Sequence, residues 1–106
     1  MTNEEKINVV INIYGSESQQ IQAIEEFSEL SQALAKNLKG KGDIDNIKEE
    51  IADAAIMLEQ LQIIFKIKDE EIYKIIGKKL DRTLDRAVRD KGLFTCMLAK
   101  SMATGR

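Results

Sequence analysis

An all-α fold follows from three features of the sequence. Proline is absent from the 106 residues and glycine occurs only six times, so little interrupts long helices. Apolar residues recur at steps of three and four, and no run alternates with the period of a strand. Start and stop signals then cut the chain into four segments.

Thr2 with Glu5 forms a capping box, so the first helix is expected from Asn3 to about Ile13. Gly15 stops it. Ser16 with Gln19 forms a second capping box and opens a long helix reaching about Leu38. The stretch Lys39-Gly40-Lys41-Gly42 ends that helix and turns the chain. Asp43 or Asp45 caps a third helix running to about Phe65. Asp69, followed by Glu70 and Glu71, caps a fourth that ends near Lys91-Gly92. The expected organisation is a single domain over residues 1–92, a bundle of about four helices built on the hairpin of the second and third. Residues 93–106 form a tail or a short docking helix.

The same periodicity predicts a core. Ile24, Phe27, Leu30, Leu34 and Leu38 make one stripe, and Ile47, Ile51, Ala54, Leu58, Leu61 and Phe65 make another. The third helix also carries Ile56, Met57, Ile63 and Ile64 on its other flanks. A helix apolar around so much of its circumference needs more cover than one partner supplies, so a homodimer or homotetramer is expected, the alternative being a compact monomer in which the first and fourth helices cover that surface.

Composition narrows the chemistry. The chain has no histidine, which removes histidine acid–base catalysis and histidine-bound zinc or iron. The single Cys96 can form neither an internal disulfide nor a thiolate cluster. The net charge of −2 gives no bulk attraction for polyanions, and no aromatics interleave with basic residues, so no nucleic-acid polymer is expected as ligand. Neither a secretory signal nor a membrane span is visible, and a cytoplasmic location is expected.

What remains is carboxylates. The second helix holds Glu25-Glu26-Phe27-Ser28-Glu29 and the third holds Glu49-Glu50-Ile51-Ala52-Asp53. Glu26 with Glu29, and Glu50 with Asp53, sit on neighbouring turns of one helix face at i, i+3 spacing. Like charges at this density repel unless a cation lies among them. All-oxygen ligation suits Mg²⁺, with Mn²⁺ as a substitute. The plainer alternative is an ordinary solvated acidic face. Whether the clusters meet depends on how the hairpin is staggered.

Glu-Glu-x-x-Glu on one helix, about twenty residues of spacer, then Glu-x-x-Asp on the next resembles the MazG-like, all-α nucleoside triphosphate pyrophosphohydrolases. The resemblance spans roughly residues 9–90. It implies Mg²⁺-dependent cleavage of a ribo- or deoxyribonucleoside triphosphate to the monophosphate and pyrophosphate, with a role in clearing the nucleotide pool. It also implies Glu26, Glu29, Glu50 and Asp53 as metal ligands. Glu25 or Glu49 is the expected catalytic acid that orients the water or takes its proton. Lys36, Lys79 and Arg82 are expected to bind the substrate phosphates. Asp81 stands where the family often has an asparagine. Tyr14, Phe65 and Tyr73 are candidates for stacking a base. The rival expectations are a non-catalytic helical module with an acidic partner-binding surface, or a bundle that uses metal only for stability.

Overall fold

The computed structural model describes residues 1–92, which form four α-helices and no strand: α1 (Asn3–Tyr14), α2 (Ser16–Leu38), α3 (Ile44–Ile64) and α4 (Asp69–Lys91). The expected tail at 93–106 lies outside the described residues. The chain divides into two compact units, Met1–Ile67 and a second beginning at Lys68. No helix among the described residues is long and apolar enough to cross a membrane.

Local chemistry sets the helix ends. The Thr2 hydroxyl accepts from the Glu5 N–H at 3.1 Å, and the Glu5 carboxylate accepts from the Thr2 N–H at 3.0 Å. The second expected capping box does not form. Gly15, at φ 90°, ends α1 and also serves as the N-cap of α2, so Ser16 becomes the first helical residue. One residue therefore does the work of a loop, and a Cβ there would be strained. Asp43, rather than Asp45, caps α3, accepting from the Asp45 N–H at 3.0 Å. Asp45 instead pairs with Lys48 across 3.8 Å. Asp69 is likewise inside its helix. Lys68 is the N-cap of α4, and its N–H donates to the Glu71 carboxylate at 2.8 Å.

In the first unit α2 and α3 form a closely packed antiparallel hairpin, and α1 packs on both. The turn between them is tight. A Cβ on Gly42 would lie 2.5 Å from the Asn37 Cα, so only glycine lets the chain pass so near the end of α2.

The seam of this hairpin coincides only in part with the stripes that periodicity selects. Its buried residues are Gln19, Ala23 and Ala33 on α2, with Ala54, Met57 and Gln60 on α3. Phe27, Leu30, Ile47 and Leu61 are half-buried, while Ile24, Leu34, Leu38, Ile51, Leu58 and Phe65 stay exposed. The reason is steric. Alanines let the two backbones approach, whereas the branched side chains would hold them apart. Rotation of each helix towards its alanines also turns Glu26, Glu50 and Asp53 into the seam, where all three are half-buried.

In the second unit α4 has no buried residue. Ile72, Ala87 and Val88 are half-buried, and Tyr73, Ile76, Leu80 and Leu84 are exposed.

Candidate metal centre

The hairpin brings the two acid clusters together. Glu26, Glu29 and Glu50 each offer a carboxylate oxygen, and the three oxygens lie within 4.8 Å of one another. Glu26 and Glu29 come from adjacent turns of α2, and Glu50 reaches across the seam from α3. Asp53 stands outside that triangle but beside Glu26, whose charge acts on it.

Hydrogen bonding fixes one corner of the triangle. The Gln22 amide donates to Glu26 Oε1 at 2.8 Å, one helical turn before it. The other oxygen, Glu26 Oε2, is buried and has no partner. Glu50 Oε2 is in the same condition. Buried polar atoms are paired in more than nine cases in ten, so two orphaned carboxylate oxygens in one site call for a partner. Among the described residues, none of the four acids forms an ion pair with a lysine or arginine.

The electrostatics agree with the geometry. The Glu29 carboxyl titrates above its ordinary value of 4.5, chiefly because of the Glu26 charge, then by desolvation and the charge of Glu50. Asp53 is raised above 3.8 by desolvation first and then by Glu26 and Glu49. The donor set therefore fits a hard divalent cation: every available atom is a carboxylate oxygen, and the charges conflict without a cation.

Raised carboxyl groups make a stability prediction. Glu29 and Asp53 keep protons in the folded chain at a pH where the unfolded chain has released them. The stability they contribute is therefore present below the unfolded values of 3.8 and 4.5 and lost as pH rises through the raised folded values. Glu5, lowered by its hydrogen bonds to Thr2, has the opposite slope, confined to pH below 4.5. In chelator, melting temperature should rise on acidification from neutral pH towards 4.5. A melting temperature that falls steadily over that range would show that the cluster carries no such repulsion.

Glu25 and Glu49 are exposed beside the cluster residues on their helices. Lys36 is exposed in the last turn of α2, seven residues or about 10 Å beyond Glu29 on the same flank. Lys79 and Arg82 are exposed on α4, in the second unit. Tyr14, Phe65 and Tyr73 are all more than half exposed. The sequence pattern does not predict the burial of Gln19 and Gln60 or the supporting role of Gln22. The i, i+4 spacing of Gln22 to Glu26 was a usable signal. For Gln19 and Gln60 there was none, because polar residues inside an apolar seam break the pattern that would reveal them.

Compared with known proteins, the chain matches no family model, no curated protein and no solved structure.

Proposed function

We propose that this protein is a Mg²⁺-dependent nucleoside triphosphate pyrophosphohydrolase acting as a homodimer or homotetramer. The carrying observation is the triangle of Glu26, Glu29 and Glu50 oxygens, two of the three residues having a buried oxygen without a partner. Orphaned oxygens inside a helix seam suit a small ion better than a basic protein partner, which would meet acids displayed on the surface. The resemblance of the Glu-Glu-x-x-Glu and Glu-x-x-Asp pattern to MazG-like enzymes supplies the substrate class.

Glu26, Glu29 and Glu50 would hold the ion, with Asp53 as the fourth carboxylate. A bound divalent cation supplies charge neutralisation on the phosphates and a more acidic water. Gln22 fixes the orientation of Glu26 through its amide, so that the ligand is set before substrate arrives. In the reaction a water oxygen bonds to the α-phosphorus while the bond to the bridging oxygen breaks, releasing pyrophosphate. A carboxylate takes the water's proton. Glu25 and Glu49, both exposed beside the cluster residues on their helices, are the candidates for that role. Lys36 lies on the flank of α2 that carries Glu29 and would meet the outer phosphates.

Assembly follows from the exposed belt. Relative to the seam, Ile24, Leu34 and Leu38 turn about 100° round α2, and Ile44, Ile51 and Leu58 turn by a similar angle round α3. Because the helices are antiparallel, both turns point to the same side of the hairpin. That side is a continuous apolar face, and a second copy of the same face is its simplest cover.

The reading is tested by incubating the protein with each common nucleoside triphosphate and Mg²⁺ and measuring pyrophosphate and monophosphate. At least one substrate should give both in equal amounts, with no product in chelator. Release of inorganic phosphate alone, or no turnover of any triphosphate, would sink it.

A further inference from the structure

Among the four helices α4 alone has no buried residue, yet its sequence is arranged for a partner helix. Tyr73, Ile76, Leu80, Thr83 and Ala87 follow one another at alternating steps of three and four. That spacing keeps one stripe turned towards a second helix along the whole length. Tyr73 is 68% exposed, Leu80 62% and Ile76 43%. Thr83 joins the stripe through its methyl group, because its hydroxyl donates to the Lys79 carbonyl at 2.9 Å. One flank of the stripe then holds Glu70, Gly77, Leu84 and Lys91 at intervals of seven. A glycine in the middle of a helix costs stability. A Cβ on Gly77 would meet nothing within 4 Å, so no group among the described residues fills the hollow it leaves. Leu84, on the same flank, stands out at 54% exposure.

We propose that α4 pairs antiparallel with the α4 of a second copy, Leu84 of each filling the hollow at Gly77 of the other. In an antiparallel pair related by a two-fold axis, the same flank of both helices lies on one side of the seam. Once Leu84 stands beside Gly77, seven residues further in opposite directions bring Lys91 beside Glu70. One register therefore meets a packing need and a charge need that arise from different residues. The occupant is this helix itself, because the complement of each flank residue is on the same flank. A parallel pair would instead gather Arg86, Arg89 and Lys91 of both copies at one end. On the opposite flank Lys79 and Arg86 do meet like charges in the antiparallel pair. Both are exposed on long stems, and such a pair costs a fraction of what covering Ile76 and Leu80 gains. The seam is short and holds two chains weakly by itself, so it depends on the assembly inferred above to raise the local concentration of the second α4. It uses no residue of the belt or of the acid cluster.

The test uses the full chain with Cys96→Ser, so that one introduced cysteine reports the pairing. Leu80→Cys lies close to the two-fold axis and should give a disulfide-linked dimer on air oxidation, read on a non-reducing gel. Thr83→Cys repeats the measurement without removing an apolar side chain. Lys91→Cys alone should give at most about a tenth of that yield, because its two copies lie about 30 Å apart along the seam. Chains with Lys91→Cys mixed with chains carrying Glu70→Cys should link to one another. Charge then tests the register. With Leu80→Cys present, Glu70→Lys alone and Lys91→Glu alone should each lower the linked dimer at least threefold, and an equal mixture of the two should restore it. Circular dichroism shows that each variant keeps its helices. No linked dimer from either Leu80→Cys or Thr83→Cys, as when another part of the chain covers the stripe, would overturn the pairing. Equal yields from Leu80→Cys and Lys91→Cys would overturn it too, since they mark parallel helices or random collision. Charge reversals without effect would overturn the register. Light scattering on the same preparations separates this pairing from the belt. An assembled chain that does not link through α4 rejects the pairing alone, and a monomeric chain that links only when concentrated rejects the belt alone.

Discussion

Glu50→Gln is expected to leave the metal-free protein as stable as before, or slightly more so, while abolishing both Mg²⁺-induced stabilisation and pyrophosphate release. The substitution keeps the shape of a side chain that reaches across the α2–α3 seam and removes one of the charges that raise Glu29. Repulsion in the apo protein therefore decreases. Metal binding stabilises a folded state by an amount that grows with concentration over Kd, about 2.7 kcal/mol at a hundredfold excess. That increment should vanish with the ligand. Turnover should fall at least a hundredfold, equivalent to about 2.7 kcal/mol of transition-state stabilisation. Asp53→Asn should behave in the same direction. Glu17→Gln, at an exposed position in the first turn of α2, removes a charge away from the site and serves as the comparison. Thermal unfolding with and without Mg²⁺, run beside a pyrophosphate assay, decides the matter. A Glu50→Gln protein with full metal response and full activity would show that Glu50 is not a ligand.

The second large effect is on assembly. The wild-type chain should be a dimer or tetramer at micromolar concentration, and the double substitution Ile51→Asp, Leu58→Asp should convert it to a monomer with its helices intact. Both positions are more than half exposed in the isolated chain, so the charges can be solvated there. In an assembly they would be enclosed, where an unpaired carboxylate costs several kcal/mol. A stable interface needs about 800 Å² from each partner. The belt of Ile24, Leu34, Leu38, Ile44, Ile51, Leu58 and Phe65 is broad enough to provide a large part of it. Light scattering measures the mass and circular dichroism the helix content. A wild-type protein that is monomeric at micromolar concentration would sink the claim, and so would a double variant that remains associated.

Much of this was legible in the sequence, for identifiable reasons. The Thr2 capping box, the stop at Gly15 and the glycine pair after Leu38 are short-range signals, and each works through bonds made within a few residues. The i, i+3 pairing of the acids is equally local. Longer-range choices were harder. Ser16 and Asp69 both looked like caps, yet the residue before each took that position. Which side of α3 turns inward could not be read, because an apolar belt covering most of a helix contains several acceptable stripes. The alanines decided it, through how closely α2 can approach, and that choice carried Glu26, Glu50 and Asp53 inward with them. The burial of Gln60 followed from the same rotation and from the position of α1.

The turn at Gly42 has a further consequence. Its backbone runs so close to Asn37 that the start of α3 is set at a fixed height beside the end of α2. Glu26 and Glu50 share no hydrogen bond or ion pair, and their proximity depends on how far each lies from that turn. The chain from Leu38 to Ile44 is therefore a gauge block for the site. A residue added there and taken up into α3 would shift its register by a step of about 1.5 Å and 100°. The helices could keep their length and their caps, but the acids would no longer be in register. Loop length, usually the most forgiving quantity in a helical hairpin, is here a dimension of the acid cluster itself.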